Sequence, residues 1–140
     1  MKMNDDELRQ MMSTLDAYKG QLDTMAQQSQ LLQFSLEEAM RARDTLKALN
    51  DAKEGDEILV PAGASSFVTA KLTSKKTALV SIGNRTSVEK SFDEAIEYMT
   101  SNIDEITEAL KKITETMNKM NNDARSLATA IQQEYQRRQQ

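Results

Sequence analysis

Cysteine and histidine are absent from the 140-residue chain, which removes disulfide bonding, thiolate nucleophiles and the two most versatile metal ligands. The carboxylates fall at outward helical positions, where solvated charge is the ordinary role, so neither catalysis nor a cofactor is expected. Aromatic residues make up 4% of the chain and the net charge is −4. Few rings to stack bases and a field that repels polyanions argue against a nucleic-acid partner. The longest apolar run is far too short to cross a bilayer, so no membrane partner is expected either. The opening MKMNDDEL has no apolar stretch before a small-residue cleavage site; no secretory signal is expected, and the chain reads as cytoplasmic. One proline and four glycines leave long stretches without a helix breaker.

The hydrophobic share is 39%, too low for a large core, yet its spacing is regular. From residue 8 onward the interval alternates between three and four: Leu8, Met11, Leu15, Tyr18, Leu22, Met25, Ser29, Leu32, Leu36, Ala39, Arg43, Leu46. A 3.5-residue repeat sustained this long marks a helix whose a and d positions face another helix. The pattern returns at Phe92, Ile96, Met99, Ile103, Ile106, Leu110, Ile113, Met117, Met120, Ala124, Leu127, Ile131 and Glu134, with a charge at the last position alone. Asn4 with Glu7, and Ser91 with Glu94, have capping-box spacing. Asp5 and Asp6 suit the positive end of the first helix, Arg137 and Arg138 the negative end of the second. Each helix is predicted to run roughly 65 to 70 Å. Ser29 and Arg43 interrupt the seam, and residues of that kind set register or mark loose packing.

Between the helices lies the stretch from Glu57 to Ser91, which holds the sole proline, Pro61, and the glycines Gly63 and Gly83. Alternation predicts four strands: Ile58 to Val60, Phe67 to Thr73, Thr77 to Ile82 and Thr86 to Val88. Ser74-Lys75-Lys76 and Gly83-Asn84-Arg85 are read as the turns. Val68, Ala70 and Leu72 are placed on one face, with Ala78, Val80 and Ile82 opposite them. The apolar side chains of this block are too few to offset the entropy of ordering it, and isolated hairpins are marginal. Equivalent hairpins of other subunits are the natural cover. The residues assigned to subunit assembly are Ile58, Val60, Phe67, Val68, Leu72, Leu79, Val80, Ile82 and Val88.

A connecting block with tight turns lets the helices pair within the chain. The fold class is therefore mainly α with a small β region: a long antiparallel two-helix coiled coil joined by two β-hairpins that assemble into an intersubunit β barrel. A single domain is expected over 1–140, with a helix from about 5 to 50, the strand block from about 57 to 90 and a helix from about 92 to 137. Its closed end lies near Leu46, Leu49, Phe92 and Ile96; its free tip brings Leu8, Met11 and Met12 near Leu127, Ile131 and Tyr135. The register sets Leu22 near Met117 or Met120. Leu31 and Phe34 fall off the seam, where they either face outward or mark a heptad shift that returns them to the helix pair. Lys71, Lys75 and Lys76 read as solvated protection of a sheet edge, Asn84-Arg85-Thr86 as a turn, and Gly83-Asn84-Arg85-Thr86 lacks phosphate-loop spacing.

The pattern EILVPAGASSFVTAKL followed by ALVSIGNRTSVEKSFDEAIEYM, set between two heptad helices, resembles the α subunits of the prefoldin family across essentially the whole chain. The Leu-Val-Pro-x-Gly run, the Phe-Val-x-Ala-Lys strand, the Val-Ser-Ile-Gly turn and the Val-Glu-Lys segment recur together there. The chain departs from that pattern at Ala64-Ser65-Ser66, where the family more often has a glycine-containing loop. The resemblance implies partnership with prefoldin β subunits, two α and four β, through a double β barrel, and an ATP-independent chaperone that holds unfolded protein clients at coiled-coil tips and passes them to a group II chaperonin. On that reading the client-binding residues are Met1, Met3, Leu8, Met11, Met12, Leu127, Ile131 and Tyr135. Four of the nine methionines fall in the first twelve residues, and methionine's flexible, polarizable side chain fits surfaces that accept many partners. A structural coiled-coil scaffold that binds one defined partner is the alternative.

Overall fold

Asn4 starts the first helix: its Oδ1 accepts the Glu7 backbone N–H at 2.8 Å, and its Nδ2 donates to the Glu7 carboxylate at 3.3 Å. From this cap α1 runs without interruption over Asp5–Asp51. The computed structural model describes residues 3–140. After α1 come β1 (Glu57–Gly63), β2 (Ser66–Lys71), β3 (Thr77–Gly83) and β4 (Thr86–Ser91), then α2 (Phe92–Arg138). Ser91 caps α2, its Oγ accepting the Glu94 N–H at 3.1 Å. Both helices therefore begin at the residues whose side chains can satisfy free backbone donors.

Two units divide the chain. The first takes the residues up to Ser35 together with Ile106–Gln140. Within it α1 and α2 run antiparallel: Asp5 meets Arg138, and Met12 meets Tyr135. Gln21 and Met25 share a groove with Thr116 and Met120, the neighbourhood expected for Leu22. Leu8, Ile131 and Glu134 are its buried residues.

The second unit comprises Leu36–Glu105. Here the Asn50 Nδ2 donates to Asp93 Oδ1 at 3.0 Å, and Leu46 and Met99 line one groove. Val80, Phe92 and Ala95 are buried. In both units the heptad positions read from the sequence, Ser29, Arg43 and Glu134 included, are all buried or half-buried. Arg43 reaches outward from the seam to Asp44, 3.1 Å away, so its stem is covered while its charge stays wet.

The strands form two separate antiparallel sheets, β1 with β2 and β3 with β4. This corrects the expected opposition of Val68 and Ala70 to Ala78 and Val80: Val60 faces Val68 and Ile58 faces Ala70, while Val80 faces Val88 and Ala78 faces Lys90. The reason lies in the turns. Ala64 and Ser65 both have positive φ, as do Asn84 and Arg85, and each pair follows a positive-φ glycine. Two consecutive left-handed residues close a two-residue hairpin whose twist matches its strands. Residues 74 to 76 close no hairpin, because Leu72 exchanges backbone bonds with Gly55 and Asp56 while Lys76 is held at the end of α1.

The two hairpins are built alike. In each the register slips by one residue just before the glycine, leaving Ala62 and Ile82 as extra residues, and an offset of twenty superposes Leu59-Val60, Gly63 and Val68 on Leu79-Val80, Gly83 and Val88. β1 accordingly extends through Pro61 to Gly63, β2 stops at Lys71, and β4 continues to Ser91 and leads directly into α2.

Candidate assembly and client-binding surfaces

Six of the eleven large apolar residues exposed among those described lie on the strands: Leu59, Val60, Phe67, Val68, Leu79 and Ile82. Pairing residues share a face, so Val60 and Val68 sit on one side of the first hairpin and Leu59 with Phe67 on the other. Neither side of that hairpin contains a buried residue. The second hairpin differs. Its Val80 is only 4% exposed while Leu79, on the opposite face, is 77% exposed. Leu79, Val80 and Ala78 form one wall of an apolar groove of 430 Å³ whose other walls include Ala42, Leu46 and Met99.

Of the residues assigned to assembly, Val60, Phe67, Val68, Leu79 and Ile82 are thus exposed, Ile58, Leu72 and Val88 are half-buried, and Val80 is spent in the chain's own core. Leu59 is exposed as well, and with Phe67 it gives the first hairpin a second apolar face. Lys76 was read as solvated and is not: its Nζ donates to the carbonyl oxygens of Leu49, Asn50 and Ala52 at 3.2, 2.9 and 2.7 Å. α1 carries no basic residue in its last turn, so the cation that its negative end requires arrives from the strand block. Lys75, more exposed, pairs with Glu89 at 2.6 Å, and the Lys75 hydrogen bond, with a second from Thr77, holds the Glu89 carboxyl below its ordinary range.

At the end of the first unit, Leu8 and Ile131 are buried, whereas Met12 and Tyr135 are exposed, the Tyr135 hydroxyl donating to Met12 Sδ at 3.7 Å. Met3 and Met11 are half-buried and share a groove with Leu127. Met1 lies outside the described residues. Leu31 and Phe34 are 69% and 60% exposed, so no local heptad shift returns them to the seam.

Glu134, the one charge in the second seam, is 1% exposed. Arg138 Nε donates to its Oε1 at 3.1 Å, and Arg137 Nη1 stands 3.3 Å from Oε2. Burial by itself would raise its pKa; the Arg138 hydrogen bond, the charges of Arg137 and Arg138 and the Met3 backbone N–H overcome this and hold it lowered. Arg138 also donates from Nη1 to Asp5 Oδ1 at 2.6 Å and from Nη2 to the Met3 carbonyl at 3.0 Å. The hydrogen bond and charge of Arg138 keep the Asp5 carboxyl low, and Asp5 in turn, then Glu134, raises Arg138. One guanidinium therefore ties the first turn of α1 to the last turn of α2. The heptad count signals an odd charge at 134, and Arg137 and Arg138 lie within one turn of it; the reach of Arg138 to Asp5 and Met3, more than a hundred residues away, has no local signal.

Among the described residues no cluster of three or more carboxylates is placed to hold a metal ion, and no helix is long and apolar enough to cross a membrane.

The prefoldin subunit family model matches residues 18–137, a span that takes in both hairpins and most of both helices. The prefoldin subunit alpha of Pyrococcus horikoshii is 36% identical over 113 residues, covering 80% of this chain and 76% of its own. That of Methanothrix thermoacetophila is 33% identical over 109 residues, covering 78% and 71%, and that of Methanoregula boonei 29% identical over 133, covering 95% and 86%. Two solved structures share the fold. A filamentous prefoldin from Methanocaldococcus jannaschii superposes with a TM-score of 0.70 at 22% identity, over 84% of this chain and 97% of that one. The prefoldin beta subunit from Thermococcus strain KS-1 gives 0.60 at 19% identity, over 95% and 96%. With two capped heptad helices, two bulged hairpins and these α-subunit relatives, the chain belongs to the prefoldin family of chaperone subunits.

Proposed function

We propose that the chain joins prefoldin β subunits, two α with four β, through its hairpins, that the resulting cytoplasmic hexamer holds unfolded proteins at the ends of its coiled coils without ATP, and that it delivers them to a group II chaperonin. The observation that carries the assembly half is the first hairpin, apolar on both faces with no residue of either strand fully buried. A β barrel shared between subunits covers such a hairpin and closes its open edges. Support for holding comes from the mixed end of the first unit, where Met12 and Tyr135 stand exposed beside the groove of Met3, Met11 and Leu127.

The test is suppression of aggregation of several unrelated denatured proteins by the chain assembled with its β partners. Deleting 1–12 and 128–140 removes both helix ends together; β chains shortened in the same way prevent their tips from masking the loss by multivalent binding. Assembly is expected to persist and holding to fall for every client. Undiminished holding by the truncated complex sinks the tip reading. A scaffold for one defined partner would instead protect one protein and leave the others to aggregate.

A further inference from the structure

The groove at the end of the first unit has a volume of 440 Å³ and is lined by Met3, Glu7, Gln10, Met11, Thr14 and Leu127. Three of these are large and apolar, and one is charged. Met3 is held at its backbone carbonyl by Arg138 Nη2 at 3.0 Å, so this part of the wall stands before any ligand arrives and adds little ordering cost to binding.

Among the described residues nothing compensates the charge on the wall. Glu7 accepts a hydrogen bond from Asn4, a neutral donor, and among the described residues no cation stands within ion-pair distance of it. Its neighbour Asp5 is neutralised by Arg138. Asp6 adds a further carboxylate to the same turn. An apolar trough with a free carboxylate on its lip complements an apolar side chain with a base beside it.

We propose that this groove is a client subsite for an apolar side chain flanked by lysine or arginine, the base pairing with Glu7. The proposal rests on the client-holding reading and adds a charge preference to it. An exposed pair of this kind shifts affinity by about two- to fivefold, enough to choose among segments of one unfolded chain though not to restrict the chaperone to one client.

Fluorescence anisotropy with the full chain and three labelled peptides tests it, each peptide carrying the same central Leu-Phe-Leu flanked by lysine, glutamine or glutamate. Binding is expected to fall in that order, with the steps compressed by added salt. Glu7→Gln, which keeps the bond to Asn4, removes the preference for lysine over glutamine, and Glu7→Lys inverts the series. Met3→Ser with Met11→Ser weakens all three peptides alike. Equal affinities in the wild type, or an unchanged order in Glu7→Gln, overturn the charge preference and leave client holding at the tip intact. Peptides that bind the double methionine variant as tightly as the wild type, or none that bind the wild type, overturn both.

Discussion

Lys76 donates from Nζ to the carbonyl oxygen of Asn50 at 2.9 Å, with Leu49 and Ala52 accepting from the same ammonium. Three helix-end carbonyls share one partly buried cation, and the Phe92 N–H bonds to the carbonyl of Lys76 itself at 3.0 Å. The residue thus joins the last turn of α1 to the first residue of α2. Lys76→Met keeps the stem and removes the charge. It is expected to cost about 1 to 2 kcal/mol, from lost charged hydrogen bonds and helix-end stabilisation. Urea unfolding monitored by circular dichroism measures it, and Lys75→Met, which removes an exposed pair only, is the control expected to change little.

Lys76 also marks where sequence reasoning stops. The heptad positions were legible because burial along a helix pair follows one period, and every seam residue, even Ser29, Arg43 and Glu134, lies where the period put it. Helix starts were legible because a capping box is local. The pairing of the strands was less so: Ala64-Ser65 and Asn84-Arg85 lack the usual Asn-Gly signature, and the glycine that permits each turn comes one residue before it. Lysines 75 and 76 are identical in type and adjacent, and only the fold decides that one reaches a helix terminus while its neighbour reaches Glu89.

Acidification should loosen the Arg138 latch. Glu134 and Asp5 have ordinary values of 4.5 and 3.8, and both are lowered in the folded chain. A carboxylate depressed by folding adds stability that is fully present above its unfolded pKa and is lost as pH falls through the folded one. Glu134→Gln is therefore expected to melt below the wild type at neutral pH, and the gap should narrow steadily as pH drops beneath about 4.5. Thermal scans across that range check it; a gap independent of pH would mean that the Glu134 charge contributes nothing.

Assembly and folding separate at two adjacent residues. Leu79 is exposed and Val80 buried, so aspartate at the two positions should fail in different ways. Leu79→Asp together with Leu59→Asp leaves the melting of the single chain nearly unchanged, as surface substitutions do, but prevents complex formation with β subunits in light scattering. Val80→Asp buries an unpaired charge and lowers the stability of the chain itself. A Leu79→Asp, Leu59→Asp chain that still forms a full-mass complex would remove the exposed strand faces from the interface.

The same contrast applied at the tip distinguishes holding from helix pairing. Met12 and Tyr135 are exposed and touch through one weak O–H···S bond, whereas Leu8 and Ile131 are buried. Serine at both exposed positions removes apolar surface at little cost in stability, within about 1 kcal/mol. Alanine at both buried positions opens cavities costing about 2 kcal/mol or more each, less where the helix ends yield. If clients bind surface that is already exposed, Met12→Ser with Tyr135→Ser should lower aggregation suppression while the melting temperature holds, measured in complexes whose β chains lack their own tips. Leu8→Ala with Ile131→Ala should do the reverse at temperatures below its melting, lowering the transition while Met12 and Tyr135 remain available. Full holding by the serine pair would move the contact along α1 to Leu31 and Phe34, whose exposure exceeds that of either tip residue, and Leu31→Ser with Phe34→Ser would then be the substitution that abolishes it.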